Sequence, residues 1–478
     1  MKNIYLVILI LFLANCASND DFLDQEPEIN SNIEITRIDE LDKLFNGMGM
    51  PAIPNQVGLW CTDNSSMPQS ILDESTTFSQ TQIDQYLFNT KINRDSDRTW
   101  GPFFFYILRA NLVLDYINSG ELIESDEPGL KELLIAESHF YRAYYLFELA
   151  VIYNLYPSEA NANELGMVLR KTSSLTENQS RATLRQTFDF ILSELEMALK
   201  YPSDEKRSVY RINKATVNAV ASRIHLYLGN YDKALEHANN ALAGHSAMID
   251  YATEVYELDY TFWYGDFVYP NTAEQVPFSG TSIADFYVDK YFYINYTNGN
   301  WNTSPSQELL DLYDDNDIRN LFFIEGWFTR YGATTNPWVH YMNSYVGYNP
   351  AGPGVPEMYL TRAECKARNN DISGAMADVE IVRSHRFHLD NYTALAIPSD
   401  AKGAVETIIE ERRREDPYEY RFMDIKRLNN DPLTDPIILS RSANGETVTI
   451  QPDDRRYARP IGDEIVILSG GATQQNQY

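Results

Sequence analysis

The stretch that most constrains the fold of this chain runs from Arg211 to Leu242. Apolar residues recur there every three or four positions on both sides of Gly229, which is typical of two amphipathic helices. Gly229 can adopt the left-handed conformation that ends a helix, and the Asn230 side chain can accept hydrogen bonds from the free amides of the next helix. The segment therefore predicts a helical hairpin whose apolar faces need neighbouring helices to cover them.

The same pattern recurs from Pro356 to Arg386, with Asn370 in the place of Gly229. Because Asn also tolerates the left-handed conformation, this segment predicts a second hairpin. A third pair is expected from Leu130 to Tyr153 and from Thr183 to Leu199. Hairpins of this kind, with small residues where the helices meet, are tetratricopeptide-like. We predict a mostly α-helical fold in which such hairpins form a scaffold, joined by a large insertion of irregular loops and short strands.

Two regions lack this helical spacing. Residues 47–99 are polar and contain several prolines, which predicts a long loop. Residues 243–355 change to strand-prone runs at Thr261–Tyr264 and Tyr291–Ile294, broken by Asn, Gly and Pro. We predict that both regions are insertions into one domain. Shorter helices are expected at Asp39–Phe45, Trp100–Ile117, Arg181–Leu199 and Gln307–Tyr313.

The charge balance limits the classes of partner. Lys and Arg total 39 against 68 Asp and Glu, which gives a formal net charge of −29. Nucleic-acid binding rests on neutralising phosphates, so this charge argues against nucleic acid as a partner. A neutral ligand is compatible with this charge.

The N-terminus has the pattern of an export signal. Lys2 precedes an apolar run, Ile4 to Leu13, that is too short to span a bilayer. The end of this run and the next residues, Leu13-Ala14-Asn15-Cys16, resemble a bacterial lipobox. In a lipobox the cysteine thiol accepts the lipid. We predict a lipoprotein signal peptide at residues 1–15, lipidation at Cys16, an acidic lipid-anchored tether at residues 16–35 and a single domain at residues 36–478. The alternative is an ordinary signal peptide with an incidental cysteine.

Tryptophan and tyrosine are concentrated in residues 243–355. The C–H faces of sugar rings stack on aromatic rings, and nearby polar side chains can bind the hydroxyl groups. We therefore predict the ligand-binding site in this region. The alternative is that most of these rings pack the insertion onto the helices. The candidate contact residues, including one from the 47–99 loop, are Trp60, Trp263, Tyr264, Trp301, Trp327, Trp338 and Tyr341.

Residues 408–428 are densely charged and invite a comparison with hydrolases. A general acid needs an apolar pocket that raises its pKa, whereas each acid here has arginine neighbours that favour the ionised form. Glu410 and Arg414 are spaced as an opposite-charge pair on a helix. We predict a structural ion-pair network and no catalytic residues.

A cluster of acidic residues lies earlier in the sequence, in the second half of the 243–355 insertion. It lacks the Gly and Glu of an EF-hand loop, so it favours a solvated helix end. We predict no metal site and no cofactor, although structural calcium stays open. The cluster consists of Asp311, Asp314, Asp315 and Asp317.

Together these motifs resemble the SusD/RagB family of outer-membrane nutrient-binding lipoproteins of Bacteroidetes. The most specific part is the run ERRRE followed by EYRFMDIKR, from Glu411 to Arg427. The resemblance extends in order over nearly the whole chain. The other residues that carry it are Cys16 with Asp20 to Asp24, Trp100, Tyr106, Asn111, Arg142-Ala143, Arg211 to Ala234, Asp317, Arg319, Tyr359-Leu360, Arg362 to Glu364, Arg383, Pro452, Pro460-Ile461 and Glu464-Ile465.

The resemblance implies a SusD-like fold and a non-catalytic role. Such a protein captures an oligo- or polysaccharide at the cell surface and delivers it to a partner TonB-dependent, SusC-like transporter. It implies a lipid anchor in the outer membrane, with the tetratricopeptide-like side facing the transporter. Two alternatives stay open: peptide cargo in the same transporter-lid role, and an interaction scaffold that binds no glycan. The matching motifs belong to the scaffold, so they do not identify the glycan.

Overall fold

The computed structural model of the protein describes residues 35–46, 56–74, 78–91, 99–200, 203–208, 210–254, 288–292, 294–297, 304–325, 339–341 and 348–478. These residues are mostly helical, as predicted. The helices are α1 (Ile38–Phe45), α2 (Gln56–Trp60), α3 (Gln69–Glu74), α4 (Gln80–Tyr86), α5 (Trp100–Ser119), α6 (Leu130–Tyr153), α7 (Leu184–Ala198), α8 (Lys214–Tyr227), α9 (Tyr231–Gly244), α10 (Tyr251–Glu254), α11 (Gln307–Leu310), α12 (Val355–Arg368), α13 (Ile372–Ser384), α14 (Ala401–Glu415), α15 (Arg421–Leu428) and α16 (Asp463–Leu468).

The described strands pair two by two, and every pair is antiparallel. The pairs are β1 (Ser65–Ser66) with β5 (Ser304–Pro305), β2 (Leu165–Val168) with β3 (Arg181–Thr183), β4 (Ile294–Thr297) with β8 (Tyr348–Ala351), β6 (Phe323–Glu325) with β7 (Val339–Tyr341), and β9 (Leu439–Ala443) with β10 (Glu446–Ile450).

The predicted hairpin at residues 211–242 is present as α8 and α9. Gly229 has φ 72° and ends α8, as predicted. Asn213 caps the other end of α8, where its Oδ1 accepts from the Thr216 amide at 2.9 Å. The prediction that Asn230 caps α9 is wrong. Its side-chain oxygen makes no cap hydrogen bond, and the side chain is turned towards the preceding helix, with its amide nitrogen 3.3 Å from His225 Nδ1.

The second predicted hairpin is present as α12 and α13. Asn370 adopts φ 63° between them, and the Asp371 side chain caps α13 by accepting from the Gly374 amide at 3.0 Å. Helix α9 packs against α12, and α12 also packs against α14. The apolar faces of the two hairpins are thus covered by each other and by α14, as a tetratricopeptide-like stack requires.

The third predicted pair, α6 and α7, forms the largest core together with α5. The end of α6 is capped by distant side chains. Lys426 Nζ donates to the carbonyls of Val151 and Asn154 at 2.6 and 2.5 Å, and Asn476 Nδ2 donates to that of Tyr153 at 2.9 Å. These bonds satisfy carbonyl groups that a helix end leaves without intrahelical partners.

Two predictions about irregular regions need correction. Residues 47–99 contain the short helices α2, α3 and α4, so this region is not simply a loop. The β9–β10 hairpin was not predicted, although Asn444-Gly445 at its turn is a strong hairpin signal. The helix predicted at Gln307–Tyr313 is shorter, ending at Leu310. The run Thr261–Tyr264 lies outside the described residues.

Candidate functional site

Two described segments of the 243–355 insertion, residues 288–292 and 351–355, meet immediately before α12. Lys290 forms an isolated antiparallel bridge with Gly354, and the Val355 amide donates to the Asp289 carbonyl at 2.7 Å. The β4–β8 pair continues this pairing into the insertion. Residues 289–292 and 294–297 and the segment that leads into α12 therefore form a paired stem.

Two aromatic residues of this stem are structural. Tyr291 is buried, and its hydroxyl donates to the His245 carbonyl at the end of α9 at 2.6 Å. Phe292 is also buried and contacts the α6 rings of Phe140 and Tyr144, with centroids 5.5 and 5.9 Å apart. These rings pack the insertion onto the helices and do not face a ligand.

The two predicted insertions contact each other. Strand β1 of the first pairs with β5 of the second, and Ser306 Oγ donates to the Asp63 carbonyl at 2.6 Å. Asn64 Nδ2 donates to the Pro417 carbonyl at 2.6 Å, in the turn between α14 and α15. One edge of the molecule thus combines both insertions with the charged 408–428 segment.

The structure places Trp60 in the core. Its side chain is 0% exposed, and its ring meets Phe78 edge-on with centroids 5.5 Å apart. A sugar cannot stack on a ring whose faces are both covered. Tyr341 lies on β7, opposite Phe323 of β6. The remaining candidates, Trp263, Tyr264, Trp301, Trp327 and Trp338, lie outside the described residues, as does Cys16.

The charged segment forms a buried ion-pair network with residues of the insertion. Arg319 Nη1 lies 2.8 Å from Glu411 Oε1, and Arg383 and Arg414 lie 2.8 and 2.9 Å from the other Glu411 oxygen. Burial raises the pKa of Glu411, but these arginines outweigh it and lower the pKa to about 2. The predicted Glu410–Arg414 pair is present at 3.4 Å. We call this set the Glu411 cluster; its members are Arg319, Arg383, Arg386, Arg414, Asp314, Asp317, Glu410, Glu411 and Glu415.

A second charged group joins the stem to α8. Arg223 lies 2.8 Å from Glu357 and 3.2 Å from Glu419, and Glu419 accepts from the Gly352 amide at 2.9 Å. Burial raises the pKa of Glu419 well above its ordinary value. A raised pKa is expected of a general acid, but this side chain is only 5% exposed and is held by the scaffold.

Sequence patterns did not identify Asp63, which anchors the edge where the two insertions meet. Its carboxylate accepts two hydrogen bonds from Arg421, at 2.7 and 2.5 Å. The two residues are separated by more than 350 positions, so no local spacing could pair them.

Neither a metal site nor a membrane-spanning helix is present in the parts of the chain that the structure describes. No group of three or more His, Cys, Asp or Glu side chains is arranged there to hold a metal ion. Two members of the predicted acidic cluster are paired with arginines: Asp317 with Arg319 at 2.7 Å and Asp314 with Arg383 at 2.8 Å. No described helix combines the length and apolar character needed to cross a membrane.

Comparison with family models identifies the fold family. A model described as "Starch-binding associating with outer membrane" matches residues 21–226, and a model of the SusD family matches residues 355–467. Both describe SusD-like proteins, and their matches together cover more than half of the 478 residues. The chain belongs to the SusD family.

Solved structures of SusD proteins share this fold over nearly their full length. A SusD superfamily protein from Bacteroides thetaiotaomicron is 17% identical, with a TM-score of 0.68 over 93% of this chain and 100% of that one. One from Bacteroides vulgatus is 20% identical, with a TM-score of 0.69 over 92% and 99%. A SusD-like carbohydrate binding protein from the same species is 15% identical, with a TM-score of 0.67 over 92% and 98%. No curated protein matches the sequence significantly. At these identities the structural likeness to other SusD proteins establishes the fold alone.

Proposed function

We propose that this protein is a cell-surface lipoprotein that captures an oligo- or polysaccharide and delivers it to a partner TonB-dependent outer-membrane transporter. The observation that carries the proposal is the match to a starch-binding, outer-membrane-associated family model. The lipid anchor at Cys16 and the transporter partner rest on the sequence motifs. The partner would contact the tetratricopeptide-like side, formed by α8, α9, α12 and α13.

The charges of the described residues favour binding without catalysis. Arginines hold the pKa of Glu411 low, and those beside Glu415 hold its pKa low as well, against the effect of burial. Both carboxylates are therefore ionised at neutral pH and cannot donate a proton as a general acid. Glu419 has a raised pKa but is buried against Arg223. This distribution supports a protein that holds its cargo without cleaving it.

The ligand site is proposed in the aromatic insertion, at Trp263, Tyr264, Trp301, Trp327, Trp338 and Tyr341. The paired stem supports part of this position, because Tyr291 and Phe292 anchor it to the helices. Trp301, Trp327, Trp338 and Tyr341 lie in the sequence between its two sides. Trp60 is excluded from the proposed site, since its ring is fully buried.

Capture is tested with lipid-free protein that begins at Ser18 and a panel of plant, host and microbial polysaccharides. Native gel retardation identifies a bound class, and calorimetry measures its affinity. We expect retardation by one class with no shortening of the polymer. Shortening would contradict the non-catalytic role, and no retardation across the panel would favour peptide cargo.

The position of the site is tested with Trp263→Ala, Trp301→Ala and Trp338→Ala. At least one variant should bind at least tenfold more weakly, a loss of about 1.4 kcal/mol or more, because an aromatic ring supplies stacking area. Phe105→Ala is the matched control, since this ring is exposed on α5 outside the insertion. Circular dichroism should show the same helix content in all variants. Normal binding by all three would place the site elsewhere.

A further inference from the structure

Three arginines surround the single carboxylate of Asp63. Arg421 binds both of its oxygens, and Arg413 Nη2 lies 3.6 Å from Oδ2. Arg441 donates to the carbonyl of Thr62, the preceding residue. Burial raises the pKa of Asp63, but the charges of these three arginines outweigh it and hold the pKa well below its ordinary value. We call these four residues the Asp63 cluster.

The charges of the Asp63 cluster are not matched. In the Glu411 cluster, four arginines face five carboxylates. Another buried group pairs Arg412, Arg427 and Arg368 with Asp424, Glu364 and Asp431. The Asp63 cluster instead brings three arginines to one contacting carboxylate, while Glu410 and Asp424 act on Arg413 and Arg421 from farther away.

The Asp63 cluster also holds unused hydrogen-bond donors. Arg421 Nη1 and Arg441 Nε are buried and have no hydrogen-bond partner among the described residues, and Arg413 Nη2 has only its 3.6 Å contact with Asp63. Buried polar groups are nearly always paired, so a buried donor without a protein partner can bind an acceptor from solution, such as water or an anion. Charged donors bind charged acceptors most strongly.

The cluster lies at the edge where both insertions meet the scaffold. Arg413 Nε donates to Asn64 Oδ1 at 2.9 Å, and Ser306 beside β5 donates to the Asp63 carbonyl. The side chains of Asp63 and Arg413 are 24% and 14% exposed, whereas Arg421 Nη1 and Arg441 Nε are buried. An anion that approaches from this side must therefore displace part of the Asp63 contact to reach them. The cluster therefore lies beside the described part of the 243–355 insertion that begins at β5.

We propose that the Asp63 cluster binds an anionic group carried by the glycan, either the carboxylate of a uronic acid or a sulfate ester. The proposal rests on the glycan-binding function proposed above and narrows its substrate class to acidic saccharides. Guanidinium groups match the planar carboxylate and the sulfate oxygens with paired donors. Screening limits the repulsion from distant carboxylates to about 8 Å at physiological salt, so the local excess of positive charge decides which group binds.

The test uses matched pairs of oligosaccharides that differ only in charge. Calorimetry with the lipid-free protein compares oligogalacturonate with its carboxyl-reduced counterpart, and a sulfated galactan oligosaccharide with its desulfated counterpart. We expect the acidic member of one pair to bind at least tenfold more tightly than its neutral member. The pair that shows this preference identifies the source of the anion.

Two variants with opposite expected effects connect the preference to the cluster. Arg413→Gln removes one cation and should abolish the preference. Asp63→Asn removes the competing anion and should enlarge it. Arg185→Gln is the control, because Arg185 forms an exposed pair with Glu159. This variant should prefer the acidic oligosaccharide as strongly as the wild type does. If Arg413→Gln fails to fold, Asp63→Asn alone tests the proposal: a larger preference for the acidic saccharide supports it, and an unchanged or smaller preference contradicts it.

Equal affinity within both pairs, or a preference that neither variant changes, would overturn the proposal. Binding of neutral glycans without any preference would overturn it while leaving glycan capture intact. Failure of every glycan, in this test and across the polysaccharide panel, would overturn the proposed function as well.

Discussion

The Glu411 cluster and the Asp63 cluster share one helix but differ in charge balance. Arg412, Arg413 and Arg414 are consecutive on α14, and successive residues of a helix point about 100° apart. Arg414 therefore reaches Glu411, Arg412 reaches Asp424, and Arg413 reaches Asn64 and Asp63. One run of like charges supplies a closed structural network on one side and an open, cationic edge on another.

Burial separates the two clusters as clearly as charge does. Glu411 is 0% exposed and Arg319 is 2% exposed at the side chain, whereas the Asp63 side chain keeps a quarter of its surface in contact with solvent. Removing one partner of a buried pair leaves an uncompensated charge. The same change at a partly solvated pair costs less. The difference predicts a graded set of mutational effects.

The largest effect is expected for Glu411→Ala. It would leave Arg319, Arg383 and Arg414 without their common partner, at a cost of about 3–5 kcal/mol in the free energy of unfolding. Glu410→Ala is the matched control, since that carboxylate is half exposed and should cost no more than about 1 kcal/mol. Urea unfolding followed by circular dichroism measures both. Similar losses for the two variants would contradict the view that the Glu411 cluster is a closed network.

The next effect is a dependence of stability on pH. The pKa of Glu411 falls from 4.5 to about 2 in the folded protein, so the unfolded chain binds more protons between these values. Its stabilising contribution is full above about pH 4.5 and is lost as the pH falls towards 2. The shift corresponds to about 3 kcal/mol at most.

Other acids with lowered pKa values also weaken the fold in this range, so a variant must isolate Glu411. Urea midpoints of Glu411→Gln and of the wild type should be measured between pH 7 and pH 3. The variant should start less stable and lose less stability on acidification. Parallel curves would show that Glu411 does not titrate as this geometry requires.

The helical scaffold could be predicted because its signals are local. The α8–α9 hairpin follows from apolar spacing on both sides of Gly229, and the left-handed turn there is observed. The α12–α13 hairpin follows from the same pattern, with Asn370 in the same role. The error at Asn230 reflects a contact with the preceding helix: its side chain is turned towards His225, and its oxygen does not accept from the first amides of α9.

The binding edge could not be predicted in the same way, because its contacts join distant parts of the chain. Asp63 lies in a polar stretch without periodicity, and its partner Arg421 is near the C-terminus. The burial of Trp60 could not be predicted from local sequence either. As a tryptophan in a proline-containing polar region it was proposed as a ligand contact, but α2 carries it into a core with Phe78. Aromatic content identifies a region, whereas the burial of each ring depends on tertiary contacts.

The smallest effect on stability is expected for Asp63→Asn. The asparagine oxygen can still accept a hydrogen bond from Arg421, and the backbone contact with Ser306 is unchanged. The charge that Arg421 pairs with is lost, so we expect a loss of about 1.5–3 kcal/mol. Urea unfolding beside Glu411→Ala provides the comparison. A loss as large as that of Glu411→Ala would show that Asp63 closes a structural network and leaves no positive charge for a ligand. A small loss, together with tighter binding of an acidic saccharide, would show that one arginine run both holds the fold and recognises the cargo.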